Sequence, residues 1–252
     1  MPGYQFAKSD ARGRERLEAI AGAMDPGTFA LMAKLGLQPG ALCAEVGAGA
    51  GTVAEWLSAQ VGNGGRVVAT DIDTRWIKDR GWPNVEVRVH DIAAEELEPA
   101  AFDMVHARTV LTHLSGWRQA VSHLSRAARP GGVVLLEETD MSTMGRCFPE
   151  EPAVDRFCRG LEWLLNAGGG DPHFGPRLPC ALREAGLRDV QYEVRLLPGD
   201  TAALRLHLDA VADDLMAASQ MTSDDVDRVA RAFADEDIVV YGPALVAAWG
   251  RP

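Results

Sequence analysis

The chain has 252 residues, 47% of them apolar and 24% charged, with 14 prolines. That length and balance exclude disordered, collagen-like and low-complexity classes and fit one large domain or one domain with a modest appendage. Lys and Arg number 25 against 36 Asp and Glu, a formal net charge of −11, so the surface as a whole repels nucleic-acid phosphates.

No run approaches the roughly 18 apolar residues of a membrane span, and the opening MPGYQFAKSDARGRER has no apolar signal region. The expectation is therefore a cytoplasmic protein with a small-molecule substrate and no nucleic-acid or membrane partner, with a homo-oligomer as an option. Cys43, Cys147, Cys158 and Cys180 form no CxxC pair, which leaves them as reduced thiols without a zinc-knuckle or dithiol signature. Lysine occurs only at Lys8, Lys34 and Lys78, and with the abundant Ala and Gly this hints at a GC-rich bacterial source.

In chain order, residues 13–24 carry Leu17, Ile20, Ala21 and Met24 on one helical face, and Asp25-Pro26 looks like the cap and first turn of a second short helix ending near Gly36. The text then alternates. Residues 41–46 read as a strand, 52–60 as a helix, and 66–70, 85–90 and 102–107 as strands. A helix from Trp117 to Ala128 stops at Arg129-Pro130-Gly131-Gly132 before a fifth strand over 133–138. Such short connections predict βαβ units and a mainly parallel sheet covered on both faces. After Asp140 the pattern changes: one helix carrying Val154, Phe157, Leu161, Leu164 and Leu165, an irregular Gly/Pro-rich loop over 166–179, and a helix ending at Gly186. An alternating strand over 190–197, helices over about 202–219 and 223–234, and a last strand over 243–250 complete the chain.

The most informative stretch is Glu45-Val-Gly47-Ala-Gly49-Ala-Gly51-Thr52, a glycine loop between a buried strand and a helix. Glycine lets backbone approach a ligand closely, and the helix start presents amides to an electron-rich group. Alone, such a loop is also compatible with a tight turn. Asp71 ends the second strand, where a carboxylate can accept both hydroxyls of a ribose. Glu45 would repel a pyrophosphate but attract an ammonium. His90-Asp91-Ile92 adds a carboxylate suited to an exocyclic amine of adenine. A ribose, an adenine, a cationic amine and no phosphate together describe S-adenosylmethionine.

EVGAGAGT, VVATDID, VRVHDI, FDMVHARTVLTHL and RPGGVVLLEETD, in this order and spacing, resemble the class I S-adenosylmethionine-dependent methyltransferases of the small-molecule type. The match is strong over about residues 35–140. The resemblance implies an α/β fold, a Rossmann-like seven-stranded, mostly parallel sheet with helices on both faces, an antiparallel last strand and helical cap insertions. It also implies a single domain: a helical lid at 1–36, a cofactor-binding core at 37–140, and caps at 141–180 and 198–236. Glu45 would hold the methionine amine, Gly47, Ala48 and Gly49 would pass under the cofactor, Asp71 would bind the ribose and Ile72 would cover the adenine. Asp91 and Ile92 would lie at the adenine edge, and Ala107 with Arg108 at the methionine end. Asp91 also reads as a helix cap, and Arg108 as a carboxylate partner.

A sulfonium is already a strong electrophile, so alignment of the acceptor is the protein's main task, with a base needed only for a protonated acceptor. His113 and Asp140 are the favoured acid-base or orienting groups, ahead of Glu137, Glu138 and His173. His113 also reads as a packing residue among Val110, Leu111 and Leu114. No Asn/Asp-Pro-Pro-Tyr/Phe motif or strand-end cysteine nucleophile is present, and the fourth strand is followed by no carboxylate cluster. This argues against the amino methyltransferases of adenine and glutamine, the cytosine-5 enzymes and the metal-dependent catechol type, and no metal is expected. The expected reaction is methyl transfer to O, N or C of a small, partly apolar metabolite. Alternatives are a cofactor-binding protein with non-methyl-transfer chemistry, a nicotinamide oxidoreductase with a variant loop, or a non-catalytic binding module. Met141, Met144, Phe148, Trp163, Phe174, Leu204, Leu206, Leu208, Leu215 and Met216 would line or roof the substrate pocket, with Tyr4 and Phe6 closing as a lid.

Overall fold

A computed structural model describes residues 12–252. The expected lid residues Tyr4 and Phe6 lie outside that range.

The first half holds five strands, β1 (Leu42–Val46), β2 (Arg66–Asp71), β3 (Val85–Val89), β4 (Phe102–Arg108) and β5 (Ala128–Asp140), with no α-helix between β2 and β3 or between β3 and β4. The helices are α1 (Arg12–Lys34), α2 (Thr52–Val61) and α3 (Trp117–Ala127). The second half contributes β6 (Cys147–Phe148), α4 (Pro152–Ala167), α5 (Leu178–Glu184), β7 (Arg188–Pro198), α6 (Thr201–Ala217), α7 (Ser223–Ala234) and β8 (Val239–Arg251). The main sheet runs β3-β2-β1-β4-β5-β8-β7, parallel as far as β5. β8 is antiparallel to both its neighbours. The two-residue β6 only adds a short ribbon to the start of β8.

Strand periodicity divides the core. Ala44, Val46, Val105, Ala107 and Leu136 pack under α3 and α5. Cys43, Val67, Met104 and Leu135, one residue out of phase, pack under α1 and α2. A separate cluster joins α4, α6 and α7 through Phe157, Leu161, Leu208, Leu215 and Phe233. The connection from β7 to β8 is thus a pair of helices packed on α4 rather than a hairpin turn. α7 begins with a complete capping box between Thr222 and Asp225.

The structure departs from the sequence pattern at three places. The two expected N-terminal helices are one helix with Pro26 in its interior. The missing amide hydrogen bond and the ring clash ordinarily cost about 3 kcal/mol. Here Asp25 and Thr28, on either side of the proline, are bonded to the sheet and hold the helix through it. The Arg129–Gly132 stretch does not precede the fifth strand but bulges within it, since Ala128 pairs with Phe102 and Val133 with Met104. The Gly/Pro-rich loop is helical from Gly175 onward, where Pro176 and Pro179 occupy first-turn positions that need no amide donor.

Of the residues expected around a substrate, Phe174 is buried in the main core against Trp117. Leu204, Leu208 and Leu215 are buried inside the cluster of α4, α6 and α7.

Candidate functional site

The carboxyl ends of β1 to β4 open into one cavity of about 250 Å³. β1 and the loop after it supply Val46, Gly47 and Gly49, β2 leads into Asp71 and Ile72, and β3 into His90, Asp91 and Ile92. β4 leads into Arg108, Val110 and His113, and α1 closes one side with Gly13, Arg16 and Leu17. Ligands of open α/β sheets bind in this crevice.

The glycine loop is built as close-approach backbone. Gly47 and Gly49 have φ of +73° and +53°, which side-chain-bearing residues rarely adopt. A Cβ on Gly47 would lie 2.2 Å from Val110 Cγ2, whereas one on Gly49 would meet nothing nearer than the Gly47 carbonyl oxygen at 4.0 Å. The space beside Gly49 is therefore open. Asp71 organises the loop: its carboxylate accepts the Gly49 N–H at 2.8 Å and the Asp73 N–H at 2.9 Å. Burial raises its pKa against the opposing effect of those bonds.

The segment after β4 is anchored from β5. Glu138 is fully buried and accepts the N–H groups of Val110, Leu111 and Thr112 at 2.9, 2.7 and 3.2 Å. Burial pushes its pKa up to about 8 despite those three bonds. The same segment carries His113 on the cavity wall, where burial pulls the imidazole down to about 4, so the ring is neutral at physiological pH. Thr109 holds a φ of +53°, costly for a β-branched residue, with its N–H bonded to the Glu137 carbonyl at 2.8 Å.

Beneath the cavity, under α1, lies a buried polar network that sequence reading missed. His106 Nδ1 donates to Glu45 at 2.5 Å and Nε2 to Glu137 at 3.2 Å. Burial opposes a charged imidazole, but the two carboxylates outweigh it and raise its pKa to about 9. Burial alone would raise the pKa of Glu137, but His106, with Thr28 and Arg108, holds it below the ordinary carboxylate range. Thr28 donates to Glu137 at 2.5 Å, and Arg195 pairs with its other oxygen. Arg108 reaches Thr28 at 2.9 Å and Asp25 at 2.7 Å. Three carboxylates thus face three cations, as buried charge requires.

Of the expected site residues, Gly47, Gly49, Asp71, Ile72, Asp91, Ile92, Arg108 and His113 share the cavity wall. Ala48 and Ala107 are buried in the clusters behind it. Glu45 is only 3% exposed, and its carboxylate faces His106 instead of the cavity. Asp91 also caps its own turn by accepting the Ala93 N–H, and Arg108 is a partner of Asp25. Asp140 lies off the cavity at the end of β5, bonded to the Ser142 N–H at 3.1 Å and to His173 at 3.0 Å. Those bonds hold its pKa down although burial opposes them.

Residues 44–134 match the family described as methyltransferase domain. "Methyltransferase str2" of Strobilurus tenacellus is 30% identical over 127 residues, 48% of this chain and 46% of that protein. An uncharacterised 37.1 kDa protein in a Streptomyces fradiae transposon is 29% identical over 46% of this chain and 35% of its own. The chain thus aligns with less than half the length of these relatives. Among solved structures, Haemonchus contortus phosphoethanolamine N-methyltransferase 2 with S-adenosyl-L-methionine superposes with a TM-score of 0.61 at 17% identity. That superposition covers 98% of this chain and 58% of the other. The [4+2]-cyclase SpnF superposes at 0.54 and 19% identity, covering 90% and 80%. Sheet order, glycine loop and matched segment agree: residues 44–134 match a methyltransferase domain, set in a sheet with the fold of the solved structure that holds S-adenosyl-L-methionine.

Proposed function

We propose that this protein binds S-adenosylmethionine in the cavity at the ends of β1 to β4 and transfers its methyl group to O, N or C of a small, partly apolar metabolite. The observation that carries the reading is the meeting, on one wall, of the open backbone at Gly49 with the carboxylates of Asp71 and Asp91. The cavity fits the nucleoside part of such a ligand. Asp71 would take the ribose, Ile72, 62% exposed, would cover the base, and Asp91 and Ile92 would meet its edge. It fits the amine end less well, because Glu45 is engaged by His106.

When bound, the sulfonium supplies the methyl electrophile. The chain's own contribution is to hold the acceptor in line and to exclude water. His113, neutral and on the wall near Arg108, is placed to accept a hydrogen bond from an O–H or N–H acceptor and orient its lone pair. Asp140 acts, on this reading, through His173 and not at the cavity. The caps, built on α4 and on α6–α7, would supply substrate selectivity, and the N-terminal segment a lid. The acidic balance and the absence, among the described residues, of a helix long and apolar enough to cross a membrane support a small-molecule enzyme of the cytoplasm. A homo-oligomer and a bacterial source are compatible with this.

The superposition on a cyclase favours one second reading, binding of the same cofactor for other chemistry. Calorimetry with S-adenosylhomocysteine against NAD tests the cofactor, and preference for NAD overturns it. Incubation with S-adenosylmethionine and a metabolite extract tests the reaction, a product heavier by one methyl group being expected. Cofactor binding without any methylated product favours the second reading.

A further inference from the structure

One side chain on the cavity wall has polar atoms that the fold does not use. His90 follows β3, and its N–H donates to the Asp71 carbonyl at 3.0 Å. This places it beyond Asp71, at the outer end of the row of strand ends β3-β2-β1-β4. Its imidazole lines the cavity, yet Nδ1 and Nε2 are both buried and without a hydrogen-bond partner among the described residues. Buried polar side-chain atoms are ordinarily paired, and an unpaired one carries its full desolvation cost. A phenylalanine of similar shape would avoid that cost, so the fold alone does not account for an imidazole here.

The surroundings define what would pair with it. A neutral imidazole can donate through one ring nitrogen and accept through the other, with the tautomer set by the partner. At this end of the cavity stand the exposed Ile72, the half-buried Trp76 and the buried Ile92, apolar walls suited to a flat ring, with the Asp91 carboxylate beside them. A purine with an exocyclic amino group meets these conditions: apolar faces, and an edge on which N–H donors alternate with ring-nitrogen acceptors. The ribose is better served by Asp71, one strand further in.

Resting on the cofactor reading above, we propose that His90 is a specificity-determining contact, its ring hydrogen-bonding the amino-purine edge of the bound nucleoside next to Asp91. The bond is made only in the complex. The imidazole therefore adds ligand affinity at the expense of the ligand-free fold, and the two effects separate on substitution.

The test is H90F, with H90Q as the variant that keeps a donor and an acceptor, followed by calorimetry with S-adenosylhomocysteine and with adenosine and by thermal melting without ligand. H90F should weaken both ligands by the same factor, about tenfold or more, while its ligand-free melting temperature equals or exceeds that of the natural protein. H90Q should recover part of the affinity. Unchanged affinities overturn the proposal, as does a loss confined to S-adenosylhomocysteine, which would place the effect at the amino-acid half. A ligand-free H90F that melts several degrees lower also overturns it, since the imidazole would then be part of the fold. An unsubstituted protein that binds neither ligand is instead a failure of the cofactor reading, seen before any variant is compared.

Discussion

The Glu45 carboxylate and the His106 imidazole meet at 2.5 Å inside the sheet, one strand apart and sealed from solvent. With Glu137 on its other nitrogen, His106 keeps its proton in the folded state to about pH 9, well above the ordinary histidine value of 6.5. The folded state binds that proton more tightly than the unfolded one. The resulting stability is fully present below pH 6.5 and is lost as pH rises toward 9, on the order of a few kcal/mol. His106→Gln should therefore flatten the decline of unfolding free energy between pH 6.5 and 9. Equal slopes in the two proteins would show that the proton lies elsewhere.

Asp71 holds the glycine loop and faces the cavity with the same carboxylate. Asp71→Asn keeps the shape but removes the charge and one acceptor. Affinity for S-adenosylhomocysteine should fall about tenfold or more, as expected for hydrogen bonds to a charged group. Calorimetry showing unchanged affinity would remove Asp71 from the ligand's contacts.

Gly49→Val places a β-branched residue at a φ of +53° beside open space on the cavity wall. The conformation costs about 1 to 2 kcal/mol, and the side chain enters the ligand's volume. Folding should survive with a lowered melting temperature, and S-adenosylhomocysteine binding should be abolished. A variant that binds normally would make the loop a turn and nothing more.

His113 stays neutral down to about pH 4 because it is buried. If it orients the acceptor, turnover should show no histidine limb near pH 6.5. His113→Ala should then lower kcat by about 10²-fold, leave the melting temperature near its starting value, and hardly change cofactor affinity. A loss seen only in thermal stability would make the ring a packing element.

Glycine within a helix is usually improved by alanine, by about 1 kcal/mol. At Gly27 the sign should reverse, because a methyl group there would sit 1.2 Å from Arg195 Nη1 and displace its contact with the buried Glu137. Gly27→Ala should destabilise by about 1 kcal/mol net, the loss of a charged hydrogen bond outweighing helix propensity. In an Arg195→Ala background the same substitution should stabilise. Urea unfolding of the four proteins gives the coupling directly, and additivity would refute the contact.

The parallel half of the sheet was legible because each strand is a short apolar run ended by glycine or a charge, and β1 to β4 start and stop within one or two residues of their sequence limits. Pro26 misled because its local meaning, a helix start, is overridden by bonds from Asp25 and Thr28 to residues more than 20 positions away. The Arg129–Gly132 bulge misled in the same way, since turn residues can interrupt a strand as well as end one. Asp71, Ile72, Asp91 and Arg108 could be placed at the cavity from strand ends alone. The His106 network could not. Only the register of β1 against β4, which pairs Glu45 with His106, brings its members together, and no local pattern encodes a register.

β8 follows both of its neighbours in sequence yet lies between them in the sheet, where Leu245 is paired with Thr139 of β5 and with Arg195 of β7. During synthesis, both neighbouring strands are made before the one that joins them. Until β8 has left the ribosome, β5 and β7 each present an unsatisfied edge, the feature by which nascent sheets recruit other chains. Closure of this protein's sheet is thus a late, long-range event. Its aggregation in a cell should depend more on how quickly β8 follows β7 out of the ribosome than on how stable the finished fold is.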